Sequence, residues 1–396
     1  MKQEEELKRK KIYSYEDNIM GLACFVTVIS QLPMFVNQGI SSPISQSIWI
    51  VAIIALLIKG DFNISEKIKA PILVTMVFML FSLSMYLIRG GGYIDSSLFQ
   101  NFLLSVFIFL ISIKCSSKIT RKGLERIEKL YVIATVLVTI QVYFKYLKGS
   151  SFYQIEYLYG SKNSVSVIII TAMIICFTLG WKGNILHKIF NSLIICFFIY
   201  ALLALKCRAV IVSIPLVFIF SILIAPVPKK IKIFLSIILG IMAIVLLNPK
   251  VYDLVVNNVL MGGRGNLVDA SSGRWDMWAS FAEDLNKNLF LGDGKSFRES
   301  FFLAVYLQYG IVIGTMIIIY AIMPLIGSLS LFKKTKDIDV YILFVISFVY
   351  IIDAVFEELA PFGPGVRCFY LWMLYGIIIA NKDFNIKLMC KKIELK

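Results

Sequence analysis

Charge is scarce in this 396-residue chain: Asp, Glu, Lys and Arg together make up 16% of it, against 59% hydrophobic residues and a mean hydropathy of +0.81. A soluble domain needs far more polar surface, which excludes water-soluble enzymes, nucleic-acid-binding modules and disordered linkers together. Histidine is almost missing. With His187 alone no His-based metal site can be built, and no zinc, P-loop or dinucleotide spacing occurs. No metal or organic cofactor is expected. The seven cysteines, at 24, 115, 176, 196, 207, 368 and 390, form no CxxC pair and fall mostly within apolar runs, so they read as small core residues. No internal repeat is evident, and with it the inverted-repeat signature of many transporters is missing.

What the chain has is long apolar runs. A bilayer core about 30 Å thick asks for roughly 20 apolar residues per helix, somewhat fewer where ends snorkel. Twelve runs qualify, near 18–36, 44–58, 71–88, 97–113, 130–147, 164–181, 189–205, 209–225, 231–247, 303–328, 340–357 and 366–381. The expectation is an all-α polytopic membrane protein of about 12 transmembrane helices. The charged lead-in MKQEEELKRKKIYSYED precedes a full-length apolar segment without a small-residue cleavage site, so the first span is expected to remain as an anchor.

Lys and Arg test this map, because they concentrate in cytoplasmic connections. With the N-terminus inside, 27 of the 40 fall in alternate, inner segments. Both termini are then cytoplasmic, and the formal charge of +15 reads first as topology and as attraction to anionic lipid. The chain divides into helices one to nine over residues 1–247, one large outer loop over 248–302, and helices ten to twelve with a cytoplasmic tail over 303–396. The loop is the only soluble-looking outer piece. Within it Ser271 or Ser272 can cap a helix on which Trp275, Trp278, Ala282 and Leu285 recur at helical spacing, an amphipathic pattern suited to the lipid interface. Gly292 and Gly294 then end it in a GDG turn.

Four places carry candidate chemistry, each with a plainer alternative. Lys206-Cys207-Arg208 is the polar break in the apolar stretch from Ile189 to Ala225, hence a tight outer hairpin. Its cations are functional or simply snorkelling. Arg274 in SSGRWDMW can add a guanidinium fork to helix N-terminal N–H groups as a phosphate site, or stack on Trp275 or pair with Asp276. Arg264 in GGRGN is similar without the helix. Glu299, where the loop re-enters the membrane, can act as a general base or serve as a helix N-terminal charge or a partner for Arg298. Asp353, Glu357 and Glu358 face Arg367 across a Pro/Gly turn, where they can neutralise Arg367 or other buried arginines of a site or form a purely structural ion-pair cluster, with Asp353 and Glu357 sharing one helix face. Gly310 and Gly314 form a GxxxG read as close helix packing.

In combination, KCRAVIVSIP at the start of a span, SSGRWDMW, GDG and ESFFLAVYLQYGIVIG resemble the bacterial O-antigen polymerase and ligase superfamily over about residues 160–325. The resemblance implies a GT-C-like fold and a metal-independent, inverting glycosyltransferase of the bacterial cytoplasmic membrane, a Wzy-type polymerase of O-antigen, capsule or exopolysaccharide repeats with its large loop extracytoplasmic. Its substrate would be a polyprenyl-diphosphate-linked oligosaccharide. Membrane lipid, a flippase and a chain-length regulator are the implied partners, and no nucleic acid. The family's two diphosphate-binding arginines map onto Arg208 and Arg274. The ligases carry a His where Glu299-Ser300 stands here, a departure that points toward a polymerase and makes Glu299 the base by position. Catalysis is thus assigned to Glu299, Arg274 and Arg208, and substrate binding to Arg208, Arg274, Arg264, Arg367, Trp275, Trp278, Glu357 and Glu358. The rivals are a flippase or other transporter, an O-antigen ligase, and a non-catalytic assembly partner.

Overall fold

The computed structural model describes residues 14–58, 66–89, 96–148, 159–180, 184–227, 229–261, 274–294, 296, 298–363 and 365–381, and all regular structure among them is helical. The helices are α1 (Tyr15–Ile29), α2 (Pro33–Asn37), α3 (Ser41–Ile58), α4 (Glu66–Arg89), α5 (Ser96–Cys115), α6 (Arg121–Val142), α7 (Lys162–Gly180), α8 (Ile185–Leu205), α9 (Arg208–Leu223) and α10 (Lys229–Leu246). They continue as α11 (Pro249–Tyr252), α12 (Arg274–Ala279), α13 (Phe281–Lys287), α14 (Phe301–Thr335), α15 (Ile338–Phe356) and α16 (Gly365–Ala380). A helix lies at each of the twelve apolar runs. Among the described residues eight helices are long and apolar enough to cross a membrane, nine if the bent pair Leu235–Leu246 and Pro249–Leu260 counts as one span, and α9 and α16 are shorter apolar helices. This is a multi-pass, all-helical membrane protein.

Local chemistry sets the helix ends. Ser14 and Asp17 form a reciprocal capping box at α1, Thr120 caps α6 by accepting from the Gly123 N–H at 3.0 Å, and Asn184 caps α8 by accepting from the His187 N–H at 2.9 Å. The first apolar run is not one helix: Pro33 supplies no N–H to continue the ladder, so α1 ends at Ile29 and five-residue α2 restarts at Pro33.

Burial separates core from periphery. In α7 83% of the apolar window is buried inside the protein and in α15 72%, whereas the figure for α3 is 22%. Leu73, Leu87, Leu186 and Leu193 on the peripheral helices are exposed, as expected of side chains that meet lipid tails. The strongest packing joins α16 to α5, α1 to α6, α14 to α15 and α7 to α8. Buried hydroxyls bond back into their own helices, Thr135 to the Tyr131 carbonyl at 2.8 Å, Thr171 to Val167 at 2.8 Å and Ser213 to Ala209 at 2.9 Å, which satisfies them where no water is at hand.

Three expectations are corrected. The interfacial helix of the loop is two short helices, α12 and α13, separated at Ser280, and its proposed caps Ser271 and Ser272 lie outside the described residues. The start of the 248–302 stretch is itself helical: Pro249–Leu260 turns 95° from Leu235–Leu246, and its Val256 and Leu260 line the large cavity described below. Finally, of the two GxxxG glycines only Gly314 packs helix against helix, lying against Val305 and Tyr306 of the segment before the break in α14; Gly310 does not. Gly310 breaks α14 with φ 71° and ψ 178°, and the loop docks on the break: Asp293 N–H donates to the Leu307 carbonyl at 2.8 Å, Gly294 to Gln308 at 3.0 Å, and Ile311 to Leu289 at 2.8 Å. A Cβ on Gly310 would lie 2.1 Å from the Phe290 carbonyl oxygen, and one on Gly292 2.3 Å from that of Gln308, so two backbones touch where both residues also need positive φ.

Candidate functional site

The hairpin between α8 and α9 has two residues outside helical geometry. Lys206 adopts the left-handed conformation (φ 54°, ψ 37°), Cys207 is extended, and Arg208 opens α9. Burial holds the Lys206 amine below the ordinary lysine value. Across from this hairpin the docked loop presents α12, whose first residue is Arg274.

Between them lies a cavity of about 1100 Å³. Lys162 and Asn163 from the start of α7 line it, with Lys206, Cys207, Arg208 and Val212 of the hairpin; Val256, Leu260 and Met261 after α11; Arg274, Trp275 and Trp278 of α12; and Glu299, Phe356 and Glu357. The wall is mostly apolar, with four basic side chains facing two carboxylates. A smaller chamber of about 250 Å³ adjoins it, sharing Asn163, Arg274, Glu299, Phe356 and Glu357 and adding Glu358, Leu359 and Arg367.

Arg274 joins both spaces. Its guanidinium meets Glu299 at 2.7 Å, donates to the Phe356 carbonyl at 3.2 Å and stands 6.0 Å from the centre of the Phe356 ring. A cation at the C-terminal end of α15 is favoured by the helix dipole. The Arg274–Glu299 pair is partly exposed, 24% and 38% for the two side chains, so its net contribution is on the order of 0–1 kcal/mol and a better ligand can displace it. Arg298, the sequence neighbour expected to hold Glu299, instead pairs with Asp284 at 2.6 Å, and Asp284 accepts from Lys287 at 2.9 Å away from the main cavity.

Arg367 is 2% exposed and contacts Glu357 at 3.1 Å and Asp353 at 3.4 Å. Glu357 is the residue after α15, with extended backbone, so it reaches Arg367 from outside the helix and not along a shared helical face with Asp353. Its other oxygen accepts from Asn163 Nδ2 at 2.6 Å. Glu358 accepts from Gln308 Nε2 at 2.9 Å, which also donates to the Ser296 carbonyl at 3.1 Å. The turn carrying both glutamates is pinned beneath by Phe362, stacked on Trp372 at 5.2 Å, and by Trp372 Nε1 donating to the Pro361 carbonyl at 2.9 Å.

The structure therefore brings Arg208, Arg274, Trp275, Trp278, Glu299 and Glu357 into one cavity, and sets Glu358 and Arg367 on its side chamber. Arg264 lies outside the described residues. Lys162 and Asn163 were missed by sequence reasoning, because a Lys-Asn pair at the head of an apolar run looks like any snorkelling helix end. The one available signal was their recurrence, with Lys206 and Arg208, at the outer ends of successive predicted spans. No family model matches this chain, and no curated protein matches it either.

Proposed function

We propose that this chain is a membrane-embedded glycosyltransferase with twelve spans and a GT-C-like architecture, a Wzy-type polymerase that joins polyprenyl-diphosphate-linked oligosaccharide repeats at the outer face of the bacterial cytoplasmic membrane. Both termini are then cytoplasmic and the 248–302 loop extracytoplasmic, with a flippase delivering the substrate. The observation that carries the reading is the cavity in which Arg208 and Arg274, far apart in sequence, line one wall system with two indoles and a carboxylate. Apolar walls suit a polyprenyl tail, and guanidinium groups near the low-dielectric boundary suit its diphosphate.

In the proposed reaction a hydroxyl at the non-reducing end of one lipid-linked repeat attacks the anomeric carbon of the growing chain. The new glycosidic C–O bond forms as the bond to the diphosphate oxygen breaks, and the electron pair leaves with polyprenyl diphosphate. The configuration inverts. Arg208 and Arg274 neutralise the departing charge, and Glu299 accepts the hydroxyl proton. The Arg274–Glu299 contact couples these roles: when diphosphate oxygens take the Arg274 fork, Glu299 is released from its partner and is free to meet the attacking hydroxyl.

The test is incubation of the purified protein with a lipid-linked repeat unit, followed by gel and mass analysis. A ladder of multiples is expected. Transfer of glycan to a different lipid acceptor would indicate a ligase, and movement of unaltered substrate across vesicles a transporter.

A further inference from the structure

Three cations on the wall of the large cavity stand at the heads of three separate helices: Lys162 opens α7, Arg208 opens α9 and Arg274 opens α12. The proposed reaction uses the two arginines and gives the lysine no task. Lys162 lies within electrostatic reach of both arginines and of Glu357. A cation is at a disadvantage there, beside two like charges and at the positive end of a helix dipole. Like charges gathered around one cleft raise the local concentration of an anion.

The lysine is also firmly placed. In α7 83% of the apolar window is inside the protein, and the turn before it is tied to a single residue, with Tyr159 Oη donating to the Gln31 carbonyl at 2.9 Å and Ser161 Oγ to Gln31 Oε1 at 2.6 Å. On the other side Asn163 donates to Glu357 at 2.6 Å, and Glu357 accepts from Arg367 at 3.1 Å with its second oxygen. Lys162 is therefore presented from a fixed point of the bundle, whereas Arg274 is carried by the clasped loop. A charge held in position before the ligand arrives needs no reorganisation to meet it.

Charge and donors count in the same direction. Four cations against two carboxylates leave the wall an excess of two positive charges, and a diphosphate that joins a lipid to a sugar carries two negative ones. A single phosphate in the same linkage carries one. Arg274 also gives part of its fork to the Phe356 carbonyl, so the two arginines together do not offer two complete forks. The second phosphoryl group calls for a further donor, and an ammonium with three rotatable donors supplies it.

We infer that Lys162 is a third phosphate-binding residue of the cavity, and the one that selects a diphosphate-linked over a monophosphate-linked sugar. The inference rests on the reading of this cavity as a lipid-diphosphate site and deepens it. Arg208 and Arg274 suffice for one phosphoryl group, and Lys162 adds the charge and the donors that the second one needs.

The test uses the full-length protein in nanodiscs and two probes with the same tail and the same sugar, undecaprenyl-diphosphate-linked and undecaprenyl-phosphate-linked N-acetylglucosamine. Their affinity ratio isolates the second phosphoryl group. Dissociation constants are read from the fluorescence of Trp275 and Trp278, which line the cavity. The unaltered protein is expected to prefer the diphosphate by about thirtyfold or more, and Lys162→Met to lose about tenfold or more for the diphosphate but less than about threefold for the monophosphate. Lys162→Arg, which keeps the charge, is expected to retain most of the preference. Should the Met variant not fold, Lys162→Gln is measured in its place. An equal loss for both probes, no loss for either, or equal binding of the two by the unaltered protein overturns the role of Lys162 and leaves the lipid-diphosphate reading standing. Failure of both probes to bind the unaltered protein removes that reading and the role of Lys162 with it.

Discussion

Arg274 holds Glu299 at 2.7 Å across the boundary between the large cavity and its side chamber, so the cation assigned to the leaving group and the carboxylate assigned to the proton are in direct contact before any substrate arrives. Neither would keep that partner through a reaction cycle. The predictions below start from this contact and move outward.

Arg208→Ala and Arg274→Ala are each expected to leave cells with single-repeat glycan and no long chains at normal protein level. Lys at either position should restore activity only in part, because an ammonium lacks the bidentate fork. Glycan ladders on gels check this; normal ladders from both Ala variants would remove these residues from the mechanism.

Glu299→Gln is expected to abolish turnover while lipid-linked substrate still binds, since the amide keeps the shape but accepts no proton at neutral pH. Single-turnover product formation alongside substrate binding separates the two effects. Full activity would move the base elsewhere, with Glu357, on the same cavity, the next carboxylate to test.

Gly310→Ala and Gly292→Ala are each expected to loosen the loop from α14. Both force a Cβ into a backbone carbonyl at 2.1–2.3 Å and onto a positive φ, a strain of about 1–3 kcal/mol each. Limited proteolysis between residues 280 and 300 should accelerate, and the polymerisation rate should fall together with substrate affinity because Arg274 rides on that loop. Unchanged cleavage would mean that the clasp does not position it.

Arg367→Met is expected to destabilise the protein by about 3–5 kcal/mol, because it leaves Asp353 and Glu357 without their buried counter-charge. Adding Asp353→Asn to that variant should recover part of the loss. Thermal unfolding in detergent measures both, and a double variant no more stable than the single one would contradict the account.

How much of this was legible before folding differs from feature to feature. The helices at all twelve apolar runs could be read because the signal is local: about 15 or more consecutive, mostly apolar residues prefer lipid, and their preferences add. Arg208 stood out at the break in an apolar stretch, Glu299 where the loop re-enters the membrane, and Arg274 beside an indole at the head of the loop's helical pattern. Lys162 and Asn163 did not, since nothing in their neighbourhood separates a cavity wall from a solvated helix end. Gly310 shows the same limit from the other direction. A small residue in an apolar helix announces close approach, yet whether the approaching backbone belongs to another helix or, as here, to the returning loop is a property of the whole fold.

Composition and periodicity alone determined that this chain lives in a membrane as a bundle of helices, because transfer free energy sums residue by residue and needs no partner. Only the tertiary structure decided which charges meet. Lys162, Arg208, Arg274, Glu299 and Glu357 come from five separate segments, and electrostatic pairing falls off within a few ångströms. Their common cavity therefore exists through the way α7, the α8–α9 hairpin, the clasped loop and the end of α15 pack together.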